Sequence, residues 1–159
     1  MTDPEVPITT HDCGAFVIDI PSAWQGVRGS EGVHAWAEPE LVEHVIVGGY
    51  HLAETVDAAE RATLIDVLVQ DELDELARLG EGKVVVRRSV RHGDNAVLSI
   101  VTGVDGAHDL VFAYYFVITT STVVKLKYQR LGRERSEREV LIQAASVAVS
   151  LKIREIVSG

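Results

Sequence analysis

The residue types that most often carry chemistry are six histidines and a single cysteine in this chain of 159 residues. Three of the ligand-type side chains stand in a row as His11, Asp12 and Cys13. Adjacent side chains of an extended segment point in alternate directions, so these three cannot easily bind one zinc ion. A metal would need a ligand from elsewhere, such as His44 or His51. We therefore expect no metal centre.

Nucleophilic catalysis would need Cys13 or a serine beside a histidine that a third group orients. The sequence contains no GxSxG motif. The stretch "GEGK" at 80–83 lacks the full spacing of a phosphate-binding loop and follows a predicted helix instead of a strand. We therefore expect no catalytic residue and no cofactor, and an enzyme such as a hydrolase is the least favoured class.

Basic residues form the most suggestive set. They lie on predicted strands of the second half, and neighbouring strands would join their outward charges into one positive strip: Arg87, Arg91, Lys125, Lys127 and Arg130. Such a strip would attract an acidic segment of another protein over a long range. In the alternative interpretation, these residues pair with an acidic helix predicted at 57–79, or they simply keep the surface soluble.

Aromatic residues allow a second function class, a carrier of a small ligand or lipid. Its pocket would lie between the sheet and a helix and would be lined by Trp36, Tyr114, Tyr115 and Tyr128. Packing of a hydrophobic core is the preferred explanation of the same four residues, and the ligand pocket stays open as the alternative.

Charge and composition restrict the partners. The net charge of −9 argues against nucleic acid, whose phosphates require basic residues. Residues 1–82 hold 17 acidic and 3 basic side chains, a balance of −14, whereas residues 83–159 hold 7 acidic and 12 basic, a balance of +5. These opposed halves make a homodimer reasonable. One cysteine, no apolar run long enough for a membrane span and no secretion signal lead us to expect a cytoplasmic protein.

The stretch "AFVIDIPSAWQ" at 15–25 predicts a strand that ends in a turn. Phe16, Ile18 and Ile20 alternate with more polar neighbours, which indicates one buried face. Pro21 lacks an amide hydrogen and should end the strand, and Trp24 can then fold back over the open end of the core.

The remaining patterns predict two helices and further strands. Asp57 and Glu60 have the spacing of a capping box and open the helix at 57–79. A second helix follows from Ser136 to about Leu151. Between the helices, residues 83–130 read as four antiparallel strands, of which "LVFAYYFVI" is apolar on both faces and should lie in the middle of the sheet.

The expected order is three strands, a helix, four strands and a helix. We predict an α+β domain at 15–154 in which helices pack on a single antiparallel sheet of six or seven strands. Residues 1–14 are expected to form a flexible N-terminal segment.

This arrangement resembles the PsbP-like superfamily, which includes the extrinsic P protein of photosystem II and the Ran-binding release factor of yeast. The residues that carry the resemblance are "FVIDIPSAW", the paired strands "VFAYYFVI" and "VVKLKY", and the closing helix that runs to "SVAVSLKI". In that family a Pro-x-x-Trp turn opens the fold and a Ser-Leu pair ends the last helix, which correspond here to Pro21, Trp24, Ser150 and Leu151.

The resemblance implies a function in binding other proteins more than in catalysis. Bacterial relatives include small lipoproteins and the effector-associated chaperones of type VI secretion. Cys13 follows "TTHD" without an apolar leader, so the chain departs from the lipoprotein branch. We therefore expect a non-enzymatic protein-binding domain, with an adaptor or chaperone of a secretion system as the specific hypothesis.

Overall fold

The computed structural model describes residues 7–27, 33–38, 40, 43–78, 82–92, 96–105, 110–131 and 137–153. For the parts of these ranges that lie within 76–112 and 131–141, the description covers the backbone alone.

The described chain forms a large and a small antiparallel sheet with two helices. The helices are α1, Ala58–Arg78, and α2, Glu137–Val149. The strands are β1 Ile8–Asp12, β2 Phe16–Pro21, β3 Gln25–Val27, β4 Val33–Ala37, β5 Glu43–His51, β6 Gly82–His92, β7 Ala96–Asp105, β8 Leu110–Ile118, β9 Thr122–Leu131 and β10 Lys152–Ile153. The predicted α+β class is thereby confirmed, with more strands than expected.

The large sheet has seven strands in the order β3-β4-β5-β9-β8-β7-β6. Strands β6 to β9 follow one another as the predicted antiparallel meander, and β5 pairs with β9 along its whole length. β8 lies inside this sheet, and its alternate residues contribute to two separate hydrophobic clusters. Both of its faces are covered, which explains why it is apolar on both.

The prediction of a single sheet is wrong, because β2 belongs to a second sheet with the order β1-β2-β10. Phe16, Ile18 and Ile20 are buried as expected, but they pack against the face of the large sheet instead of continuing it. An alternating pattern reports that a strand has one buried face and does not report which strand lies beside it. Ile8–Asp12, within the expected N-terminal segment, forms β1 and pairs with β2.

The two faces of the large sheet are covered by different elements. On one face, the small sheet and α2 enclose a cluster that includes Phe16, Tyr128 and Leu151. On the other face, α1 packs over β6, β7 and β8 and buries Ile65 and Val69 against the sheet. We call these the covered face and the α1 face. The protein is therefore built in three layers.

The two sequence motifs at the ends of the fold meet each other. The Trp24 amide donates a hydrogen bond to the Pro21 carbonyl (3.0 Å), and the partly buried indole packs at the edge of the covered-face cluster. Ser150 Oγ accepts a hydrogen bond from the Asp19 amide (3.0 Å) and donates one to the Val147 carbonyl (2.6 Å). The serine thus ties the end of α2 to β2.

The first helix begins as the sequence predicts. The Glu60 amide donates to the Asp57 carboxylate (2.8 Å), and the Asp57 amide donates to the Glu60 carboxylate (3.3 Å). This reciprocal pair satisfies two amides that have no partner within the helix. None of the helices among the described residues is long and apolar enough to cross a membrane.

Candidate protein-binding surface

A row of side chains crosses the α1 face where the helix does not cover it. Val27 lies opposite Ala35, Ala35 opposite Ile46, and Ile46 opposite Lys127. Directly opposed residues of antiparallel strands point to the same face, so these four form one continuous line across β3, β4, β5 and β9. Val27 is 46% exposed, and Ala35, Ile46 and Lys127 are partly exposed.

Tyr50 and Lys125 border this row on β5 and β9. Tyr50 is 51% exposed, and Lys125 is next to Lys127 on the same face of β9. We define the open surface as Val27, Ala35, Ile46, Tyr50, Lys125 and Lys127. The surface thus combines apolar side chains with two ammonium groups at the border of α1.

The two lysines are held over aromatic rings. The Lys125 ammonium lies 5.4 Å from the centroid of the Tyr114 ring and forms an ion pair with Glu72 of α1. The Lys127 ammonium lies 5.3 Å from the centroid of the same Tyr114 ring. A cation over an aromatic face is attracted by the negative charge density of the ring. The rings and Glu72 therefore keep both cations at the edge of the open surface.

The electrostatics of the pair favour an added negative charge. Burial lowers the pKa of Lys125, and the nearby charge of Lys127 lowers it further. Each effect makes the protonated form of Lys125 more costly. A carboxylate placed close to the two ammonium groups would stabilise both of them. The open surface can therefore bind an acidic group chemically, with apolar contacts beside it.

Arg130, the fifth member of the predicted strip, lies on the covered face. Its guanidinium Nη1 is 3.7 Å from Oε1 of Glu43, and both residues are buried. The Tyr128 hydroxyl donates a hydrogen bond to Oε2 of the same carboxylate. Arg130 thus belongs to a buried structural network, separated from Lys127 by the thickness of the sheet.

Arg87 and Arg91 lie on β6, at the far end of the large sheet from β3. Strands β7 and β8 separate them from β9, so three strand spacings, about 14 Å, lie between β6 and the lysines. Arg87 shares a register row with Val101, Tyr114 and Lys127. Lys125 pairs with the acidic helix, as the alternative interpretation proposed.

The four residues of the predicted pocket are divided between the two faces. Trp36, Tyr115 and Tyr128 pack in the covered-face cluster, whereas Tyr114 packs under α1. All four are buried, and burial raises the pKa of both Tyr114 and Tyr115 to about 12. Core packing accounts for their positions.

A groove of about 490 Å³ lies elsewhere, between α2 and the small sheet. Its lining combines apolar and hydrogen-bonding side chains: Ile8, Asp19, Pro21, Gln143, Ser146, Val147 and Ser150. None of the four aromatic residues of the predicted pocket contributes to it.

Cys13, the single cysteine, is partly buried and forms no disulfide. Burial raises the pKa of the Cys13 thiol, and the charge of Asp12 raises it further. A nucleophilic cysteine needs the opposite shift, since the thiolate is the reactive form. Among the described residues, no three His, Cys, Asp or Glu side chains are placed to hold a metal ion.

Compared by sequence, the chain matches no protein-family model and no curated protein. Its structure is similar to the solution structure of the cyanobacterial PsbP protein CyanoP from Synechocystis sp. PCC 6803, with a TM-score of 0.67 at 14% identity over 95% of both chains. The fold is PsbP-like, which confirms the prediction from the sequence.

Two crystal structures are also similar to this chain. One, from Bacteroides thetaiotaomicron VPI-5482, has a TM-score of 0.57 at 13% identity and covers 93% of this chain but 48% of that longer one. The other is a Pseudomonas aeruginosa protein of unknown function described as a suspected regulator, with a TM-score of 0.53 at 17% identity over 94% and 99% of the two chains. At these identities the similarity establishes the fold alone.

The apolar half of the open surface is not predicted by the sequence pattern. The strand sequence "EHVIVGGYH" carries apolar residues on both faces, which is typical of a buried strand. Ile46 and Tyr50 are nevertheless partly exposed, because α1 packs over β6 to β8. The position of a helix along a sheet depends on long-range packing, which the local pattern does not contain.

Proposed function

We propose that the protein is a non-enzymatic protein-binding domain whose open surface receives an acidic, partly apolar segment of another protein. The observation that carries this proposal is the continuous row Val27, Ala35, Ile46 and Lys127, in which a partly exposed apolar line ends at two neighbouring lysines. The apolar residues would supply affinity and the lysines would select an acidic partner.

The resemblance to the PsbP-like superfamily supports a binding role, because it implies protein binding more than catalysis. CyanoP and the suspected regulator from Pseudomonas aeruginosa share the fold with this chain. Within this proposal, an adaptor or chaperone of a secretion system is the specific role that the resemblance of "FVIDIPSAW" and "SVAVSLKI" favours. A cytoplasmic location fits that role.

Affinity capture with matched charge reversals tests the proposal. Lys127→Glu replaces a cation of the open surface, whereas Lys152→Glu makes the same change at an exposed position of β10, in the other sheet. Each variant and the wild type are cross-linked in native lysate, and the captured proteins are identified by mass spectrometry. We expect one stoichiometric partner with the wild type and Lys152→Glu, and at least tenfold less of it with Lys127→Glu.

Two outcomes would refute the proposal. The first is that cross-linking captures no stoichiometric partner with any of the three proteins. The second is that Lys127→Glu, folded by circular dichroism, retains the partner as well as Lys152→Glu does. If the captured protein is a second copy of this chain, the partner is the chain itself and the protein forms a homodimer.

The groove between α2 and the small sheet favours one alternative, a carrier of a small polar ligand. Asp19, Gln143, Ser146 and Ser150 supply hydrogen-bonding groups beside Val147 and Pro21 in a volume of about 490 Å³. A ligand bound only by the folded protein must raise the melting temperature. A thermal-shift screen of metabolites and lipids, repeated with Ser146→Phe to fill the groove, would separate this alternative from protein binding.

A further inference from the structure

The large sheet has two edges of very different length. At one end, β3 contains three residues, Gln25–Val27. At the other end, β6 contains eleven, Gly82–His92. An end strand leaves a row of backbone donors and acceptors without partners in its own sheet, and a short strand keeps that row small. The long strand β6 therefore presents by far the larger edge.

The geometry of β6 suits the addition of another strand over most of its length. An irregularity in the pairing occurs between Val84 and Val86, and from Val86 to His92 the pairing with β7 is regular. In an antiparallel pair, every second residue directs its amide and carbonyl groups away from the neighbouring strand. Among the described strands β6 pairs with β7 alone, so these groups of Val86–His92 are oriented towards an added strand.

The charge of β6 disfavours a second copy of this chain as the added strand. Its sequence, GKVVVRRSVRH, contains four Lys or Arg residues and no acidic residue. Antiparallel pairing of Val86–His92 with the same segment of a second copy, centred on Ser89, places Arg87 opposite Arg91 twice. Like charges directly opposite each other destabilise a pair of strands.

We propose that the outer edge of β6 binds an extended acidic segment of a partner protein as an additional antiparallel strand. Backbone hydrogen bonds supply the affinity, and the three basic residues of Val86–His92, namely Arg87, Arg88 and Arg91, select acidic side chains at cross-strand positions. This proposal depends on the proposed function in one respect only, namely that the partner is a protein. It uses a surface separated from the open surface by β7 and β8.

A designed peptide pair tests this site without knowledge of the natural partner. The probe is a capped nine-residue peptide that alternates glutamate with valine, and its counterpart carries lysine in place of glutamate. Both are titrated into the full-length, isotope-labelled protein, and amide shifts and hydrogen exchange are followed by NMR. We expect slowed exchange at alternate residues of Val86–His92 with the glutamate peptide, and at least tenfold weaker binding of the lysine peptide.

Two controls separate strand addition from simple charge attraction. N-methylation of every second peptide amide removes backbone donors without changing charge, and it should abolish the protection of β6. Arg87→Gln with Arg91→Gln should weaken the glutamate peptide about tenfold, whereas Lys125→Gln with Lys127→Gln should leave its binding at β6 unchanged. The double lysine variant therefore distinguishes the β6 site from the open surface.

The proposal is overturned if the glutamate peptide protects no amide of β6, or if the N-methylated peptide or the lysine peptide binds there equally well. Dimerisation of the wild-type chain through β6 would overturn it too. If the variant with both arginine substitutions does not fold, the salt dependence of glutamate-peptide binding to the wild type tests the charge selection instead. Affinity that does not fall as sodium chloride is raised contradicts the charge selection.

Discussion

The covered face and the α1 face of the large sheet are made from the same strands but serve different purposes. On β9, Leu126 and Tyr128 lie in the covered-face cluster, whereas Lys125 and Lys127 lie on the α1 face. The small sheet and α2 together enclose the first face, and α1 alone packs over part of the second. A single alternating strand thus contributes to a buried core on one face and to a partly exposed surface on the other.

The two faces also differ in the exposure of their charged residues. Arg130 on the covered face is buried beside the Glu43 carboxylate and lies within the protein. Lys127 on the α1 face is partly exposed, and the proposed function places it at the contact with a partner. Substitutions on the covered face should therefore change stability, and substitutions on the open surface should change binding.

The largest effect is expected from Arg130→Met. This change removes the guanidinium and leaves the Glu43 carboxylate buried beside the Tyr128 hydroxyl. Removing one partner of a buried ion pair costs about 3–5 kcal/mol of unfolding free energy, because the remaining charge is uncompensated. Urea denaturation of the variant measures this loss.

The control for Arg130→Met is Lys152→Met, at an exposed position of the small sheet, which should change the unfolding free energy by about 0.5 kcal/mol or less. Adding Glu43→Gln to Arg130→Met should restore part of the lost stability. Equal small losses for the arginine and lysine variants would show that the buried network does not stabilise the covered face.

A smaller effect is expected from Gly49→Ala on β5. A Cβ atom at Gly49 would lie 3.0 Å from Cδ1 and 3.3 Å from Cε1 of the buried Phe16 ring, and 3.4 Å from Cβ of Ala15. The ring would have to move within a packed core, which costs about 1–3 kcal/mol. Thermal or urea unfolding of the variant checks this value.

Gly26→Ala on β3 is the matched control, since a Cβ atom there meets no atom of the described structure within 4 Å. Its stability should be unchanged or raised by up to about 1 kcal/mol, because alanine restricts the unfolded chain more than glycine does. If both glycine variants lost the same stability, the tight contact between β5 and β2 would not be the cause.

The smallest effect concerns the pKa of Lys125. The charge of Lys127 is the second cause, after burial, that lowers this pKa from 10.5. Lys127→Gln removes that charge, so the pKa of Lys125 should rise while remaining below 10.5 because the burial persists. NMR titration of the lysine side chains measures the change, and Lys152→Gln is the control. An unchanged or lowered pKa would indicate that the two ammonium groups do not interact.

The elements that depend on local patterns were predictable from the sequence. The capping box at Asp57, the strands of the meander and the position of β8 inside the sheet all follow from periodicity and spacing. Side chains along a strand alternate between its two faces. Arg130 lies three positions after Lys127 on β9, so the two side chains are on opposite faces. The prediction of one strip that contains both residues did not take this alternation into account.

The tertiary arrangement was harder to predict from the sequence. Nothing local in "FVIDIP" distinguishes an eighth strand of the large sheet from the centre of a second one, and nothing in "EHVIVGGYH" reports where α1 packs. Pairing between distant segments, such as β5 with β9, is determined by the whole chain. The open surface arises from these non-local contacts, so only its lysines could be proposed from the sequence.

Site-specific photo-cross-linking compares the two regions most directly. A photoreactive phenylalanine analogue is placed at Ile46 on the open surface or at Ile142, a residue of α2 that is 59% exposed. We predict one cross-linked adduct of defined mass from position 46 in native lysate, and none of that mass from position 142. Adducts of the same mass and yield from both positions, or from position 142 alone, would contradict the assignment of the open surface as the binding site.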